Sequence, residues 1–480
     1  MANLSLSTTK KELFGHLDAL DETDDILKQY FVETDIFRKM KGKENFLLLI
    51  GEKGTGKSAI MKMCMLTAKE NDYLVVDIQR PPVNEDATLN EKINEWKNYL
   101  AKELVNVIGA RGNSTAVKVL GIAGDTIGQI VENKYGVDYT SIKTKILDML
   151  VEAAQIYIYI DDLDTGYKGT KAQNESIIAL FTAIREMIRV NRQLVFRVTL
   201  RTDVYDNIRQ VDESSDKIQD IKHVLSIKNH EILAMLTKRV VTFLDNDSIS
   251  HGFENSTQQD MLKRMEMIFD PIFNGYGKWA YSPTHHVLMA LTRRRPRDLF
   301  VLCGLAWDNA VKNMRLKIVT EDIQSVFQEY SNERLRDVIS EYNHEFRSIE
   351  HLRTLLLGLK LSSNDKKSGS RPNIYTKDEL IKKVSTITER KRITWVTGKN
   401  ATDVELAQFL YKANVVIGRV DKEEKVHRIY YMEKPNLISG ISDGGYKLEL
   451  HPAYRWAIEN STDDILKYVD AEAEADEGNF

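Results

Sequence analysis

The residues best suited to chemistry lie between positions 51 and 58, where the sequence reads Gly-Glu-Lys-Gly-Thr-Gly-Lys-Ser. This is a complete G-x-x-x-x-G-K-[ST] motif, whose glycines let the backbone curl so that successive N–H groups face a phosphate chain. Lys57 is spaced to reach the β- and γ-phosphates, and Ser58 to offer its hydroxyl to Mg²⁺. The motif predicts a site for a nucleoside triphosphate, the alternative being a glycine-rich turn that binds no ligand.

The sequence on both sides of this loop fits the prediction. An apolar run, 46–50, precedes the loop and favours a buried strand, while the stretch 59–66 contains no Gly or Pro and favours a helix. A helix that starts here adds its positive N-terminal end to the phosphate site. We expect the nucleotide to contact the whole loop and the residue after it: Gly51, Glu52, Lys53, Gly54, Thr55, Gly56, Lys57, Ser58 and Ala59.

A pair of carboxylates, Asp161 and Asp162, follows the apolar run 156–160. Asp161 comes where a Mg²⁺-holding aspartate is expected, at the C-terminal end of a buried strand. Asp162 comes where a carboxylate can polarise the attacking water. Adjacent carboxylates repel each other and are costly to desolvate, and a bound divalent cation would offset that cost. We predict Ser58 and Asp161 as metal ligands and Asp162 as a catalytic residue; the alternative is an acidic turn that ends a strand.

The apolar run 194–200 ends at Arg201. Neighbouring parallel strands end at the same edge of a sheet, so this guanidinium is placed to bridge oxygens of the γ-phosphate. The competing interpretation is an ion pair with Asp203 or Asp206. Lys57, Asp162 and Arg201 are therefore the predicted catalytic residues.

The segment 293–298, Arg-Arg-Arg-Pro-Arg-Asp, is the densest basic point of the chain. Pro296 and Asp298 favour a helix start, since Pro is tolerated and Asp preferred in a first turn. Arginines at a helix entry can reach a nucleotide, and we predict this role for Arg294 and Arg297. A nucleic-acid patch and a solvated surface are the alternatives.

The alternation of strand-like and helical patterns predicts an α/β P-loop NTPase core, a parallel sheet flanked by helices. A helical lid and a C-terminal winged-helix-like α+β domain are expected after it. The predicted domains are an N-terminal helical segment at 1–44, the ATPase core at 45–221, the lid at 222–335, the winged-helix-like domain at 336–465 and an acidic tail at 466–480, expected to be disordered. Within the core, the stretch 84–155 is expected to be mostly helical and is not assigned a role.

Two β-type runs near the C-terminus, 426–432 and 446–451, fit a β-wing after a set of helices. The stretch 361–430 contains 15 basic and 9 acidic residues, including the run Arg390-Lys391-Arg392. Duplex DNA is therefore one possible partner of this region. Contact with a protein and a purely structural role are the alternatives.

Composition narrows the remaining possibilities. The net charge of −4 gives no global bias toward nucleic acid, and two distant cysteines, Cys64 and Cys303, support neither a disulfide framework nor a zinc site. The sequence has no apolar stretch of membrane-spanning length and no secretory-type apolar segment near Met1. A cytoplasmic protein without a membrane partner is the expectation.

The order of these motifs resembles the STAND and origin-initiator branch of AAA+-like P-loop ATPases. The closer resemblance is to a bacterial group of predicted P-loop ATPases, some encoded among defence genes. It rests on linked segments spread over about 60% of the chain, at 24–34, 51–60, 159–164, 200–205 with Asp216-Lys217 downstream, and 295–298.

The resemblance implies a slowly hydrolysing, Mg²⁺-dependent ATP switch with adenine as the base. Its nucleotide state would control homo-oligomerisation or a protein effector, in antiviral defence. The alternative function is a DNA-associated ATPase, similar to an initiator or loader, that holds duplex DNA through its winged helix. The C-terminal 140 residues or so lie outside the resemblance, so DNA binding is not inherited from it.

Overall fold

The computed structural model describes residues 4–78, 86–110, 155–211, 216–244, 257–361, 372–422, 425–440, 445–459 and 462–470. Most of the stretch 84–155 and the last ten residues of the predicted acidic tail lie outside the described residues. Two compact units are found, and the finer domain boundaries given above stay predictions. The parallel-sheet unit comprises Asp18–Leu27 and Glu33–Leu225; the C-terminal unit comprises Met1–Leu17, Lys28–Val32 and Ser226–Phe480.

Up to residue 225 the elements are α1 (Lys10–Phe14), α2 (Asp24–Tyr30), α3 (Asp35–Met40), β1 (Phe46–Gly51), α4 (Lys57–Glu70), β2 (Leu74–Ile78), α5 (Leu89–Ala110), β3 (Ile156–Ile160), α6 (Lys171–Val190), β4 (Leu194–Arg201), α7 (Thr202–Val211), α8 (Asp216–Gln219) and β5 (Lys222–Val224).

From residue 226 onward they are α9 (Asn229–Leu244), α10 (Gln258–Met265), β6 (Ile272–Phe273), β7 (Ser282–Pro283), α11 (Thr284–Leu291), α12 (Pro296–Lys312), α13 (Thr320–Ser325), α14 (Phe327–Tyr342), α15 (Ile349–Gly358), β8 (Ile374–Tyr375), α16 (Lys377–Arg390), α17 (Asp403–Lys412), β9 (Val416–Lys422), β10 (Lys425–Ile429), β11 (Lys447–Leu450), α18 (Pro452–Ile458) and α19 (Thr462–Tyr468).

Five parallel strands form the sheet of the first unit, in the order β2-β3-β4-β1-β5. β1 and β3 are buried along their whole length, as is β4 up to Leu200. Near-continuous apolar runs are typical of parallel strands that have helices on both faces. This confirms the predicted α/β fold class with a parallel sheet flanked by helices. The C-terminal ends of β1, β3 and β4 meet at one edge, which we call the loop edge.

The register at this edge is fixed by the pairing of the strands. Gly51 on β1 is the partner of Arg201 on β4. Ile160, the last residue of β3, is the partner of Val198. Asp161, the residue after β3, therefore lies beside the last residues of β4. Side chains that follow β3 can contact those of β4 there.

Arg197 interrupts the apolar pattern of β4 and is fully buried. Its guanidinium donates to the backbone carbonyls of Met40 (2.5 Å), Glu44 (2.8 Å) and Gly42. It also lies over the ring of Tyr157, 5.8 Å from the centroid. A single buried cation thus holds the segment that leads from α3 into β1, and the apolar strand pattern gave no sign of it.

The C-terminal unit is mainly helical, with α9–α14 interrupted by the short antiparallel pair β6–β7. A four-stranded antiparallel sheet follows, in the order β10-β9-β11-β8. The β-type runs 426–432 and 446–451 were predicted to pair directly as a wing, and this pairing is wrong. β9 lies between them, since its residues 418–422 pair with β10 and its residues 416–419 pair with β11. Among the described residues, we find no helix with the length and hydropathy needed to cross a bilayer.

Candidate nucleotide-binding site

The loop between β1 and α4 has the backbone geometry that a phosphate site requires. Gly56, the N-cap of α4, adopts φ 97° and ψ 18°, a left-handed conformation that suits glycine. Because a glycine cap has no side chain, no side-chain bond occupies the first-turn N–H groups of α4. These donors and the positive end of the helix are oriented for an anion.

Gly51 is required by close packing at the start of the loop. A Cβ atom at this position would lie 2.9 Å from the Thr55 hydroxyl oxygen and 3.1 Å from the Cβ of Leu225. The Thr55 hydroxyl is itself fixed, since it donates to the carbonyl of Glu52 at 2.8 Å. The loop is therefore braced internally, and its first glycine cannot gain a side chain without displacing this bond.

The ammonium group of Lys57 lies over the loop. Its Nζ donates to the carbonyl oxygens of Gly51 (3.0 Å) and Glu52 (3.1 Å). A phosphate oxygen entering the loop would compete with these neutral acceptors for a charged donor, and charge-assisted bonds are the stronger ones. The position of Lys57 fits its predicted role.

The structure places both predicted carboxylates at the loop edge. Oδ1 of Asp161 accepts a short hydrogen bond from the hydroxyl of Thr199 on β4. Asp162 has φ 53°, a left-handed backbone that is uncommon for a residue with a side chain. Partial burial, then the charges of Asp161 and Asp164, raise the pKa of Asp162 to about 6, while Lys57 opposes the rise. Strained backbone and a shifted pKa cluster at functional sites.

Arg201 is held by two carboxylates. Its Nε donates to Oδ1 of Asp203 at 2.9 Å and lies 3.3 Å from Oδ2 of Asp164, and a second short contact joins it to Asp203. The ion pair with Asp203, considered above as the competing interpretation, is therefore present. A contact of Arg201 with the γ-phosphate stays a prediction.

Asp164 precedes Thr165-Gly166, a sequence typical of turns, and its carbonyl accepts from the N–H of Tyr167 at 3.0 Å. Its side chain is nevertheless buried beside Arg201. Burial raises the pKa of Asp164, against the opposing charges of Lys57 and Arg201. The D-x-D spacing after β3 was the only sequence signal for this residue.

The donor set suits Mg²⁺, which keeps several waters and takes only one or two protein ligands besides substrate phosphates. Among the described residues, no group of three or more His, Cys, Asp or Glu side chains could hold a metal alone. Ser58 is the second residue of α4, and Asp161 directly follows β3 at the same edge. Their assignment as metal ligands stays a prediction.

The basic segment 293–298 starts α12 at Pro296, as predicted, with Asp298 in its first turn. Arg293 and Arg295 are buried in the C-terminal unit, paired with Asp298 (2.7 Å) and Glu341 (3.4 Å). These two guanidiniums are therefore structural.

Arg294 and Arg297, the two arginines predicted to contact the nucleotide, are less buried. Arg294 pairs with Glu433 and lies 4.8 Å from the ring centroid of Tyr430. Arg297 donates to the carbonyl of Leu17 at 3.4 Å. Their role toward the nucleotide stays a prediction.

Parts of the chain are similar to known proteins. A family model described as "FunZ-associated C-terminal helical domain" matches residues 230–339, within the C-terminal unit. The chain is 22% identical over 394 residues to the "Putative transposon gamma-delta 80.3 kDa protein" of Escherichia coli (strain K12). That match covers 72% of this chain and 53% of the other, so the chain spans about half the length of this curated relative.

Two solved structures of the Aeropyrum pernix ORC2 protein are also similar. The ADPNP–ADP complexes give a TM-score of 0.40 at 11% identity, covering 93% of this chain and 92% of that one. The ADP form gives 0.33 at 12% identity, covering 92% and 97%. Likenesses at these TM-scores are too weak to support an argument about function.

Proposed function

We propose that this chain is a Mg²⁺-dependent ATPase that works as a molecular switch, its nucleotide state controlling homo-oligomerisation or a partner effector. One observation carries the proposal. A phosphate loop with an open helix N-terminus lies at the same sheet edge as Asp161, Asp162 and Arg201. A binding loop alone would need none of these side chains.

In this proposal each side chain acts on a stated part of the substrate. Lys57 leaves the loop carbonyls for the β- and γ-phosphate oxygens. Ser58 and Asp161 hold Mg²⁺, which when bound neutralises charge on the phosphates. Asp162, with a pKa near 6, is mostly ionised at neutral pH and orients the attacking water by accepting its hydrogen bond.

The switch itself depends on Arg201. A γ-phosphate would compete with Asp203 and Asp164 for this guanidinium, and Asp203 lies in the first turn of α7. Loss of the phosphate on hydrolysis returns Arg201 to its carboxylates. The proposed switch thus makes or breaks the ion pair between Arg201 and Asp203 at the start of α7. In the chain, α7 is followed by α8, β5 and then the C-terminal unit.

The test combines turnover with assembly. The full chain should hydrolyse ATP slowly, and its mass by analytical ultracentrifugation, or its affinity for an effector, should differ between a non-hydrolysable ATP analogue and ADP. Absence of ATP turnover would refute the proposed ATPase activity. Turnover with the same mass and the same effector affinity in both nucleotides would refute the switch. A role in antiviral defence rests on the family resemblance alone.

A second candidate is a DNA-associated ATPase. The order α15, β8, α16, α17, β9, β10, β11, with β11 paired to both β8 and β9, is typical of a winged helix that has one further edge strand, β10. The observation that favours this candidate is the exposure of Arg390, Lys391 and Arg392 at the end of α16. Salt-sensitive binding of duplex DNA, with turnover that rises on binding, would distinguish it from a switch that acts only on proteins.

A further inference from the structure

Four exposed cations lie around one small β structure of the C-terminal unit. Phe346 forms an antiparallel bridge with Trp395, and the N–H of Arg347 donates to the carbonyl of Thr394 at 3.0 Å. The same segment, 394–396, turns back on 399–400. This arrangement brings Arg347 next to the chain that leaves α16 through Arg390, Lys391 and Arg392, and we call these four residues the basic edge.

The basic edge differs from the other arginine clusters of this unit. Arg428 and Arg455 are buried and paired with Glu449, and Arg293 is buried against Asp298. Each residue of the basic edge is exposed, and none forms an ion pair with any residue that the structure describes. Their charge is therefore available to a ligand.

Nearby carboxylates do little to neutralise this surface, because most have other partners. Glu345 pairs with Lys412 at 3.1 Å, and Glu350 pairs with Arg353 at 3.1 Å. Glu405 pairs with Lys399 at 3.0 Å. One exposed carboxylate, Glu389, remains in the same stretch of chain. The basic edge thus keeps a positive excess, which is the electrostatic footprint of a polyanion site.

The helix that follows, α17, is poorly suited to touch DNA. It stands where the recognition helix of a winged helix would be, but its first turn contains Asp403 and Glu405. Glu405 accepts from the N–H of Thr402 at 2.9 Å, and Asp403 accepts from the hydroxyl of Thr388 at 2.7 Å. The helix N-terminus is therefore already occupied by carboxylates of the chain itself, which would repel a phosphate.

The outward side of α17 offers little for reading bases. Val404, 42% exposed, and Gln408 are its other outward side chains near the N-terminal half. A base-reading helix normally presents several Arg, Lys, Asn or Gln side chains to the major groove. The basic edge is therefore suited to bind phosphates, whereas α17 is suited neither to bind phosphates nor to read bases.

We propose that the basic edge binds the phosphodiester backbone of nucleic acid through charge alone, without base readout by α17. The inference rests on the second candidate function and deepens it, since it names which surface meets the nucleic acid and how. None of the four residues of the basic edge is aromatic, and Trp395 beside them is partly buried against Phe346, as suits a surface that binds phosphates. Binding should be independent of sequence and of ATP.

The experiment measures binding of the full chain to a fluorescently labelled duplex of arbitrary sequence about two helical turns long. No nucleotide is added, and salt is varied. The variant R390Q/K391Q/R392Q should bind about tenfold or more weakly at moderate salt, and its log–log salt slope should fall by about 0.9 for each phosphate that the variant no longer neutralises. Arg347→Gln should weaken binding less, with a slope change that corresponds to about one phosphate.

Matched control variants distinguish the contribution of the basic edge to duplex affinity from that of any exposed lysine and from that of α17. Lys312→Gln removes an exposed lysine at the end of α12, and the single variants Val404→Ala and Gln408→Ala each alter α17. All three should bind the duplex as the parent does, and a second duplex of unrelated sequence should bind equally well. Thermal melting confirms that each variant is folded.

Three outcomes would overturn the proposal. They are duplex affinity in R390Q/K391Q/R392Q within twofold of the parent, losses of affinity in the α17 variants as large as in that variant, or no duplex binding at low salt. If the chain instead bound poly-glutamate and not the duplex, the basic edge would be assigned to an acidic protein partner. Because no ATP is present, these results are independent of whether the chain hydrolyses ATP.

Discussion

Gly51 and Arg201 are register partners on neighbouring parallel strands, so the first residue of the phosphate loop lies beside the backbone of the arginine whose side chain pairs with Asp203 and Asp164. The consequence is that nucleotide binding and the ion pairs of Arg201 share one edge of the sheet. Substitutions at this edge should therefore separate binding from hydrolysis.

Lys57→Ala should weaken ATP binding about 10- to 100-fold, because it removes a charge-assisted contact to phosphate worth about 1.5–3 kcal/mol. Isothermal titration with ATP measures the change. Lys69→Ala, at the exposed far end of the same helix, is the control and should bind as the parent does. Equal affinity in both variants would contradict the predicted role of Lys57.

Asp162→Asn should bind ATP with near-parental affinity while turnover falls about 10²-fold or more, since the amide cannot accept the proton or polarise water as a carboxylate does. The substitution keeps the shape of the side chain. Turnover under saturating ATP and a separate affinity measurement distinguish the two effects. Parental turnover in this variant would refute the catalytic role of Asp162.

Arg201→Ala should lower turnover about 10- to 1,000-fold, with a smaller effect on ATP affinity. Arg201→Lys should restore little, because an ammonium cannot make the two parallel contacts of a guanidinium. Asp203→Asn is the control variant, since it removes the ion pair between Arg201 and Asp203 but keeps the Arg201 guanidinium in place for the phosphate. If Asp203→Asn lowered turnover and melting temperature as much as Arg201→Ala, the arginine would be structural and the sensor role wrong.

Asp298→Asn should destabilise the C-terminal unit by about 3–5 kcal/mol, because Arg293 and Arg334 would lose their buried carboxylate and share only the more exposed Asp337. Burial opposes ionisation of Asp298, but the surrounding arginines prevail and hold its pKa well below the usual range.

The depressed pKa of Asp298 also sets a pH dependence. A group with a depressed folded-state pKa stabilises the fold above its unfolded value, near 3.9, and loses that effect as pH falls toward the folded value. Melting of parent and variant at several pH values should therefore show a constant difference from pH 7 to about pH 4. A difference that vanished by pH 5 would contradict this cause.

Arg197→Met should destabilise the parallel-sheet unit by about 3 kcal/mol or more, because several buried carbonyls would lose their donor. Hydrogen exchange should increase in the segment 40–45 more than in β4. Lys222→Met, a partly buried cation on the edge strand β5, is a suitable comparison with a smaller expected cost.

The loop and the central strands were predictable from the sequence because each is a local pattern. The motif at 51–58 predicts the turn, and the apolar runs at 46–50, 156–160 and 194–200 favour buried strands. Arg197 shows where this reasoning fails. Its burial depends on carbonyls about 155 residues away in sequence, and no local pattern encodes them.

The prediction for the C-terminal sheet failed for a related reason. β-type runs can be recognised locally, but their partners are chosen by packing, and β9 lies between the two runs that were predicted to pair. Asp164 was not predicted as a site residue, because an Asp before Thr-Gly is typical of a turn. Its burial beside Arg201 depends on a different strand.

The strand order β2-β3-β4-β1-β5 has a consequence for synthesis of the chain. β1 ends at Gly51, but its neighbours β4 and β5 end about 150 and 170 residues later. At about 5–20 residues per second, the strand that leads into the phosphate loop waits roughly 8–30 s on the ribosome before either partner exists. Nascent chains halted before β4 should therefore expose this apolar strand and be clients of chaperones, whereas chains released after β5 should not.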